Sequence, residues 1–329
     1  MARADLLKKL FSSYKQNDTE MFYSVASEII EDEKKKNHGI LADDLKLILN
    51  GKYQGKKPDI LSFGTPKDKD KDMPLIEVLY PEKYFSDLIV TDDKIQQLEQ
   101  IIKEFNNWDV LVSNGVFPTR RVLFYGPPGC GKTLAAQALA GEIGIPMLYV
   151  RFDALISSYL GETASNIRKV FEYAQKDSWV IFFDEFDAIG RSRNDSTEHG
   201  EIKRVVNAFL QQIDNYHGHS LIIAATNFEQ SLDYAIWRRF DETMCFEMPS
   251  NEEKIKLFSL KMKRFQGPVH VIEQYMNELD AFSHSDIEKI SQIIMKQCIL
   301  EGRKIYSKND IENAVKKQEK NVSLRKTQY

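Results

Sequence analysis

From about residue 75 onward, short continuous apolar runs alternate with longer stretches of helical periodicity. The runs are Val122–Tyr125, Met147–Val150, Val180–Phe183, Leu221–Ala225 and Met244–Met248. Between them, Ile167, Val170, Phe171 and Ala174 recur at i, i+3, i+4, i+7. Ile202, Val205, Val206, Phe209, Leu210 and Ile213 keep the same period over a longer span. Such spacing predicts amphipathic helices. Strands that are apolar on both faces need cover on both faces. The alternation therefore predicts an α/β fold, a parallel sheet buried between helices, over residues 75–248.

The two ends of the chain read differently. At 1–50, Leu6, Leu7, Leu10, Phe11 and Tyr14 fall at helical spacing, as do Phe22, Val25, Ala26, Ile29 and Ile30. His38-Gly39 breaks that pattern, and Leu45, Ile48 and Leu49 suggest a third short helix. Residues 51–74 carry Gly, Pro and an alternating Lys/Asp run, the composition of a flexible linker. After Pro249 the strands stop. Ser250 with Glu253, Ser283 with Asp286 and Ser307 with Asp310 each match the S-x-x-[DE] helix-start pattern. They predict a small all-helical domain at 249–320 and leave 321–329 as a frayed tail.

Composition narrows the class. Hydrophobic residues make up 42% and charged residues 29%, an ordinary globular balance. The net charge of −4 lacks the basic excess of a dedicated duplex binder. The three cysteines, Cys130, Cys245 and Cys298, stand far apart with no CxxC pair, so neither zinc nor a disulfide framework is suggested. The N-terminus has no long apolar core and no run approaches the ~20 residues of a membrane span. A cytoplasmic setting is the expectation.

The chemistry concentrates at the ends of the predicted strands. Gly126-Pro127-Pro128-Gly129-Cys130-Gly131-Lys132-Thr133 fits GxxxxGK[ST], with a strand before it and a helix opening at Leu134. Gly129 and Gly131 can take backbone angles closed to other residues. The loop can then turn successive N–H groups inward as an anion nest at a helix N-terminus. Lys132 adds a point charge for terminal phosphates, and the Thr133 hydroxyl is suited to Mg²⁺. ATP and Mg²⁺ are the expected ligands, and Leu134 completes the nucleotide-binding set.

Two other strands end in polar residues. Val180–Phe183 runs into Asp184 and Glu185. In a parallel sheet the carboxyl ends of strands face the ligand crevice. Asp184 would hold the Mg²⁺ shell, and Glu185 would orient and deprotonate the attacking water. Such an acidic pair alone is weak evidence, because acidic residues also cap a following helix. Leu221–Thr226 ends at Asn227, which could bond a terminal phosphate or the water; by itself it reads as a turn asparagine.

Taken together, GPPGCGKT, VIFFDE, IIAATN and LDYAIWRRFD occur in the order found in the AAA clade of AAA+ ATPases, which the chain resembles over roughly residues 84–320. The lead-in FSDLIVTDDKIQQLEQII is similar as well. The resemblance implies a P-loop NTPase core with a five-stranded parallel sheet, a helical lid, nucleotide between them and commonly a hexameric ring. It assigns Gly126–Thr133 to Walker A, Asp184 and Glu185 to Walker B, and Asn227 to sensor 1. Arg238 and Arg239 match the paired arginines that reach a neighbour's site; outside that motif they would read as a charged helix end. Tyr159-Leu160-Gly161 matches the aromatic–hydrophobic–Gly pore loop, although Ser158 stands where Lys is common, and Tyr159 could instead pack on the following helix. His199 belongs either to a second pore loop or to a plain surface loop. The lid signature departs from the family: Ser283-His284-Ser285-Asp286 replaces a Ser-Gly-Ala-Asp-like run. His284 reads as a structural histidine.

The expected function is a Mg-ATP-hydrolysing motor that remodels or unfolds a protein substrate through a central pore. A nucleic-acid-associated loader or helper, or the ATPase partner of a separate protease, are the alternatives. The core also resembles that of FtsH, but none of the six histidines is followed by Glu, so HExxH is absent. The helices at 1–50 are loosely similar to the recruitment domains of katanin and spastin and would engage substrate or an adaptor.

Overall fold

The computed structural model describes residues 4–15, 19–35, 42, 45–46, 49, 65–67, 73–150, 155, 160–186, 199–228, 232, 234–275, 279 and 281–326. The chain divides into two compact units, Met1–Gly64 and Thr65–Tyr329.

In the first unit, helices α1 (Ala4–Lys15) and α2 (Thr19–Lys35) pair through buried Leu6, Val25 and Ile29, with Leu10 and Leu45 against them. Leu7 and Phe11 of the same periodic series face solvent, Phe11 at 72% exposure. Of the third expected helix, at 45–49, Leu45, Lys46 and Leu49 are helical, and Leu47 and Ile48 lie outside the described residues.

The second unit is built on a six-stranded sheet in the order β1-β3-β4-β5-β2-β6. The strands are β1 (Ile76–Leu79), β2 (Arg121–Tyr125), β3 (Met147–Val150), β4 (Val180–Phe183), β5 (Leu221–Thr226) and β6 (Glu242–Cys245). β2 to β6 are parallel, as the apolar runs predict. β1 adds an antiparallel edge, pairing Ile76 with Val150 through Leu79 with Met147. β6 also ends earlier than its apolar run, because its register with β2 stops at Cys245 beside Tyr125.

The helices of this unit are α3 (Asp92–Asn106), α4 (Trp108–Ser113), α5 (Lys132–Ile143), α6 (Leu160–Ala174), α7 (His199–Asp214), α8 (Tyr234–Trp237), α9 (Asn251–Lys261), α10 (Val269–Gln274), α11 (His284–Leu300) and α12 (Lys308–Lys326). Alternate strand residues go to opposite faces. On one face Leu123, Ile181, Phe183 and Ile222 pack with Ile167, Phe171, Phe209 and Leu210 from α6 and α7. On the other, Phe124, Phe182 and Ile223 pack with Leu98 and Ile101 of α3 and Leu139 of α5. Both faces are dry, which is why the strands show no polar alternation. Phe209 is fully buried and its ring meets those of Phe171, Phe183 and Phe186. Truncating such a residue to Ala costs about 3–5 kcal/mol.

The C-terminal helices enclose a separate core around Phe258, Ile287, Ile290, Ile294, Tyr306 and Ile311. Their starts follow the sequence pattern. Ser250 and Ser283 form capping boxes with Glu253 and Asp286. Ser307 N–H donates to Asp310 Oδ2 at 2.7 Å before α12. A cap of this kind stabilises by about 1 kcal/mol. α12 continues through Lys326, past the predicted frayed boundary. Buried Gln318 on it donates to Asp286 Oδ1 at 2.7 Å. Among the described residues no helix is long and apolar enough to cross a membrane.

Candidate active site

Strand register brings the predicted residues to one edge. Phe183, the last residue of β4, lies opposite Ala224 of β5, and Thr226, the last of β5, lies opposite Tyr125, the last of β2. The chain therefore leaves three adjacent strands at the same side, as Asp184-Glu185, Asn227 and Gly126. This is the crevice at the carboxyl ends of parallel strands where ligands of open α/β sheets bind.

The loop after β2 depends on glycine at three positions. Gly126, Gly129 and Gly131 have φ of 128°, 78° and 98°. A Cβ on Gly126 would sit 2.2 Å from the Phe246 carbonyl oxygen. Gly131 is the N-cap of α5, so the loop feeds straight into a helix N-terminus. Lys132 is buried, and its Nζ donates to the carbonyls of Gly126 at 2.7 Å and Pro127 at 2.9 Å, which spans the loop with a positive charge. Pro127, Pro128 and Gly129 are exposed. Cys130 points inward, with Sγ 3.6 Å from Met248 Sδ. Burial pushes its thiol up to about 11, so it stays protonated and serves as packing. Leu134 packs partly buried against the sheet core.

Opposite the loop, Thr133 Oγ1 donates to Asp184 Oδ2 at 3.1 Å. Tyr149 O–H donates to the same oxygen at 3.2 Å. The Glu185 N–H donates to Asp184 Oδ1 at 2.9 Å. Glu185 itself has φ of 53°, the single non-glycine positive φ among the described residues. Left-handed backbone costs a residue with a Cβ roughly 1–2 kcal/mol. Such strain concentrates at functional positions. It turns Glu185 out of the strand line, exposed beside the half-buried Asp184.

Asn227 is half-buried at the tip of β5. The next N–H, of Phe228, donates to Thr226 Oγ1 at 3.1 Å and turns the chain there. The arginines are not brought to the loop. Asp241 accepts from the N–H groups of Arg120 and Arg121 at 3.0 and 2.9 Å, fixing this segment at the starting end of β2. Arg239 Nε donates to Asp214 Oδ2 at 3.1 Å and an η-nitrogen donates to the Ala235 carbonyl at 2.8 Å. Exposed Arg238 lies 5.4 Å from the Tyr234 ring. Tyr159 lies outside the described residues. Leu160 opens α6, with its side chain outside them, and His199 opens α7 likewise.

The start of α11 meets the loop. Ser285 N–H donates to the Gly129 carbonyl at 3.0 Å. A Cβ on Gly129 would lie 2.6 Å from Ser283 Oγ. His284, between them, lines a small cavity with Val90, Thr91, Lys94, Cys130 and Glu253.

Sequence reasoning misses Tyr149 and Phe246. A tyrosine in an otherwise aliphatic four-residue strand is the only trace of the first. The second acts through its backbone, which leaves no trace.

The donor set fits a magnesium nucleotide. Gly126, Gly129 and Gly131 carry the positive φ angles that curl the loop, α5 begins at the loop, Lys132 supplies charge, and Thr133 and Asp184 offer hard oxygen donors. Among the described residues no group of three or more His, Cys, Asp or Glu could hold a metal unaided. That is usual for Mg²⁺, which is commonly held by one or two carboxylates together with phosphate oxygens.

Fold and site thus define a P-loop nucleotide hydrolase. Residues 122–248 match the family model described as ATPase family associated with various cellular activities (AAA). The chain is 41% identical over 319 residues to an uncharacterized AAA family ATPase of Sinorhizobium fredii, covering 96% of this chain and 95% of that protein. It is 34% identical over 263 residues to a putative 26S proteasome regulatory subunit homolog of Methanocaldococcus jannaschii, covering 78% and 68%. Similarity to the proteasome-activating nucleotidase of Thermococcus onnurineus is 31% over 261 residues, covering 77% and 66%. The chain belongs to the AAA family and is an ATPase.

Proposed function

We propose that the chain is a Mg-ATP-driven motor of the cytoplasm that remodels or unfolds protein substrates as a hexameric ring. The observation that carries the enzymatic part is the junction of Thr133 with Asp184, which joins the phosphate loop to the acidic strand tip. The protein-directed part is supported by relatives named for the proteasome.

In this reading residues 75–248 form the large ATPase subdomain and 249–320 its lid. Bound Mg-ATP supplies the anhydride to be cleaved and a cation that offsets phosphate charge. Gly126–Thr133 bind and orient the phosphates, with Lys132 as their charge partner and Leu134 beside them. Thr133 and Asp184 hold the metal side. Glu185 orients a water and takes its proton, and Asn227 holds the terminal phosphate end of the crevice. Arg238 and Arg239 serve a neighbouring subunit's site. An arginine supplied in trans is worth ~10³–10⁵ in rate. Hydrolysis would then depend on assembly.

Tyr159 and Leu160 grip an extended chain in the pore, where an aromatic ring gives contact without reading sequence. Residues 1–50 recruit substrate or an adaptor through the 51–74 tether, and a separate protease is a fitting partner.

Capture with Glu185→Gln in ATP tests this reading. Retained protein clients, lost again in Glu185→Gln/Tyr159→Ala, are expected. Retention of nucleic acid without protein would overturn it in favour of a loader.

A further inference from the structure

His284 stands where the family signature has glycine, and its surroundings are unusual for an imidazole. It is the first residue of α11, immediately after the N-cap Ser283. Both ring nitrogens are buried and neither has a hydrogen-bond partner. The Ile89 backbone lies close but outside hydrogen-bond geometry. The next residue, Ser285, carries the N–H that bonds Gly129 of the phosphate loop at 3.0 Å. The imidazole thus sits where loop, lead-in segment and C-terminal helices meet.

We propose that His284 is a positioning residue for the phosphate loop: as neutral imidazole it seats α11 on Gly129, and protonation releases that seat, so nucleotide retention depends on pH. The proposal rests on the ATP-binding reading of the loop.

Burial, rather than the surrounding charge, decides the direction. Lys94 of α3 and Lys254 of α9 disfavour an imidazolium, whereas Glu253 of α9 favours it. Cys130 and Glu247 line the same cavity. Cys130 is a buried, protonated thiol and offsets no charge. The positive end of the α11 dipole adds to the repulsion. Burial is the largest influence and holds the imidazole below its ordinary value. A neutral buried ring leaves unmade hydrogen bonds; a charged one would add the far larger penalty of an unpaired ion. Opening the lid admits water to the ring and removes that penalty. The closed state therefore binds fewer protons than the open one. Closure is undiminished above the ordinary histidine value of about 6.5 and weakens below it. For one proton the loss is at most about tenfold per pH unit.

The test is equilibrium binding of a fluorescent, non-hydrolysable ATP analogue with Mg²⁺ to the full chain, from pH 5.5 to 8. The partners are wild type, His284→Asn, His284→Gln and His284→Lys. The analogue titrates identically with every protein, so the ratio of affinities isolates the residue. Wild type should lose affinity by roughly fivefold to tenfold more than the Asn or Gln variant between pH 7 and 5.5. His284→Lys should bind weakly even at pH 8. Two amide variants guard against one failing to fold. Parallel pH profiles for wild type and either folded amide variant would overturn the proposal. Absence of binding at every pH would instead overturn the ATP-binding reading.

Discussion

Thr133 Oγ1 and Asp184 Oδ2, 51 positions apart in sequence, lie 3.1 Å apart in space. The contact joins the first turn of α5 to the end of β4. It exists because β5 lies between β4 and β2 with their ends level. The same carboxylate oxygen accepts from Tyr149 on β3. Three elements thus fix one carboxylate.

Tyr149→Phe should keep the ring packing against Phe182 and remove one hydrogen bond. The expected loss is about 0.5–1.5 kcal/mol of positioning. Mn²⁺ titration of the ATP-bound protein should show weaker metal binding with metal-free ATP affinity unchanged. Asp184→Asn should weaken Mn²⁺ far more. Equal Mn²⁺ affinity in wild type and Asp184→Asn would exclude Asp184 from the metal shell.

Glu185→Gln should retain ATP and slow hydrolysis by roughly 10²–10⁴-fold, the usual contribution of a general base. The strain at this position gives a second readout. Glu185→Gly should be more stable than Glu185→Ala by roughly 1 kcal/mol, because glycine tolerates φ of 53°. Thermal melting of the two variants checks this. Equal melting temperatures would show that the left-handed backbone is not retained.

Much of this was legible in the sequence, and the remainder was not for a physical reason. The five parallel strands announced themselves because Val180–Phe183 and Leu221–Ala225 are dry on both faces. The helix starts at Ser250, Ser283 and Ser307 were readable because a capping box is local. β1 was not readable: its Ile-Glu-Val-Leu sequence is short, and its pairing partner β3 lies some seventy positions away. The Tyr149–Asp184 contact and the approach of Gly126 to Phe246 depend on strand order, which periodicity does not encode. The roles given to Tyr159 and Arg239 come from family resemblance rather than from geometry within one chain.

Gly126→Ala would place a Cβ against the Phe246 carbonyl and force a positive φ on alanine. Backbone cannot move aside as a side-chain end can. A loss on the order of 2 kcal/mol is expected. At roughly 2–4 °C per kcal/mol, the melting temperature should fall by several degrees. Nucleotide binding should fall with it. An unchanged melting curve would mean that the loop does not pack against the Phe246 backbone as described.

Asp310 supplies a pH prediction. Arg303 makes a two-pronged contact with its carboxylate at 2.7 and 2.8 Å, and Ser307 adds more. The Arg303 guanidinium, opposed by burial and aided by Ser307, holds the Asp310 carboxyl down at about 2. A depressed carboxylate stabilises above its unfolded value, near 3.9, and loses that contribution as pH falls towards 2. Asp310→Asn should therefore melt earlier than wild type at pH 7. The gap should narrow steadily from pH 4 to pH 2. A gap independent of pH would show that the ion pair contributes nothing.

On the proposed reading, the cup from Gly126 to Thr133 holds ATP against the acidic tip of β4. The most direct test of that reading is phosphate release by the purified full chain with ATP and Mg²⁺ across a range of protein concentrations, beside Lys132→Ala. Wild type should release phosphate, and Lys132→Ala should neither bind nucleotide nor release phosphate. Matching activity in the two proteins, or no release by wild type at any concentration, would contradict it.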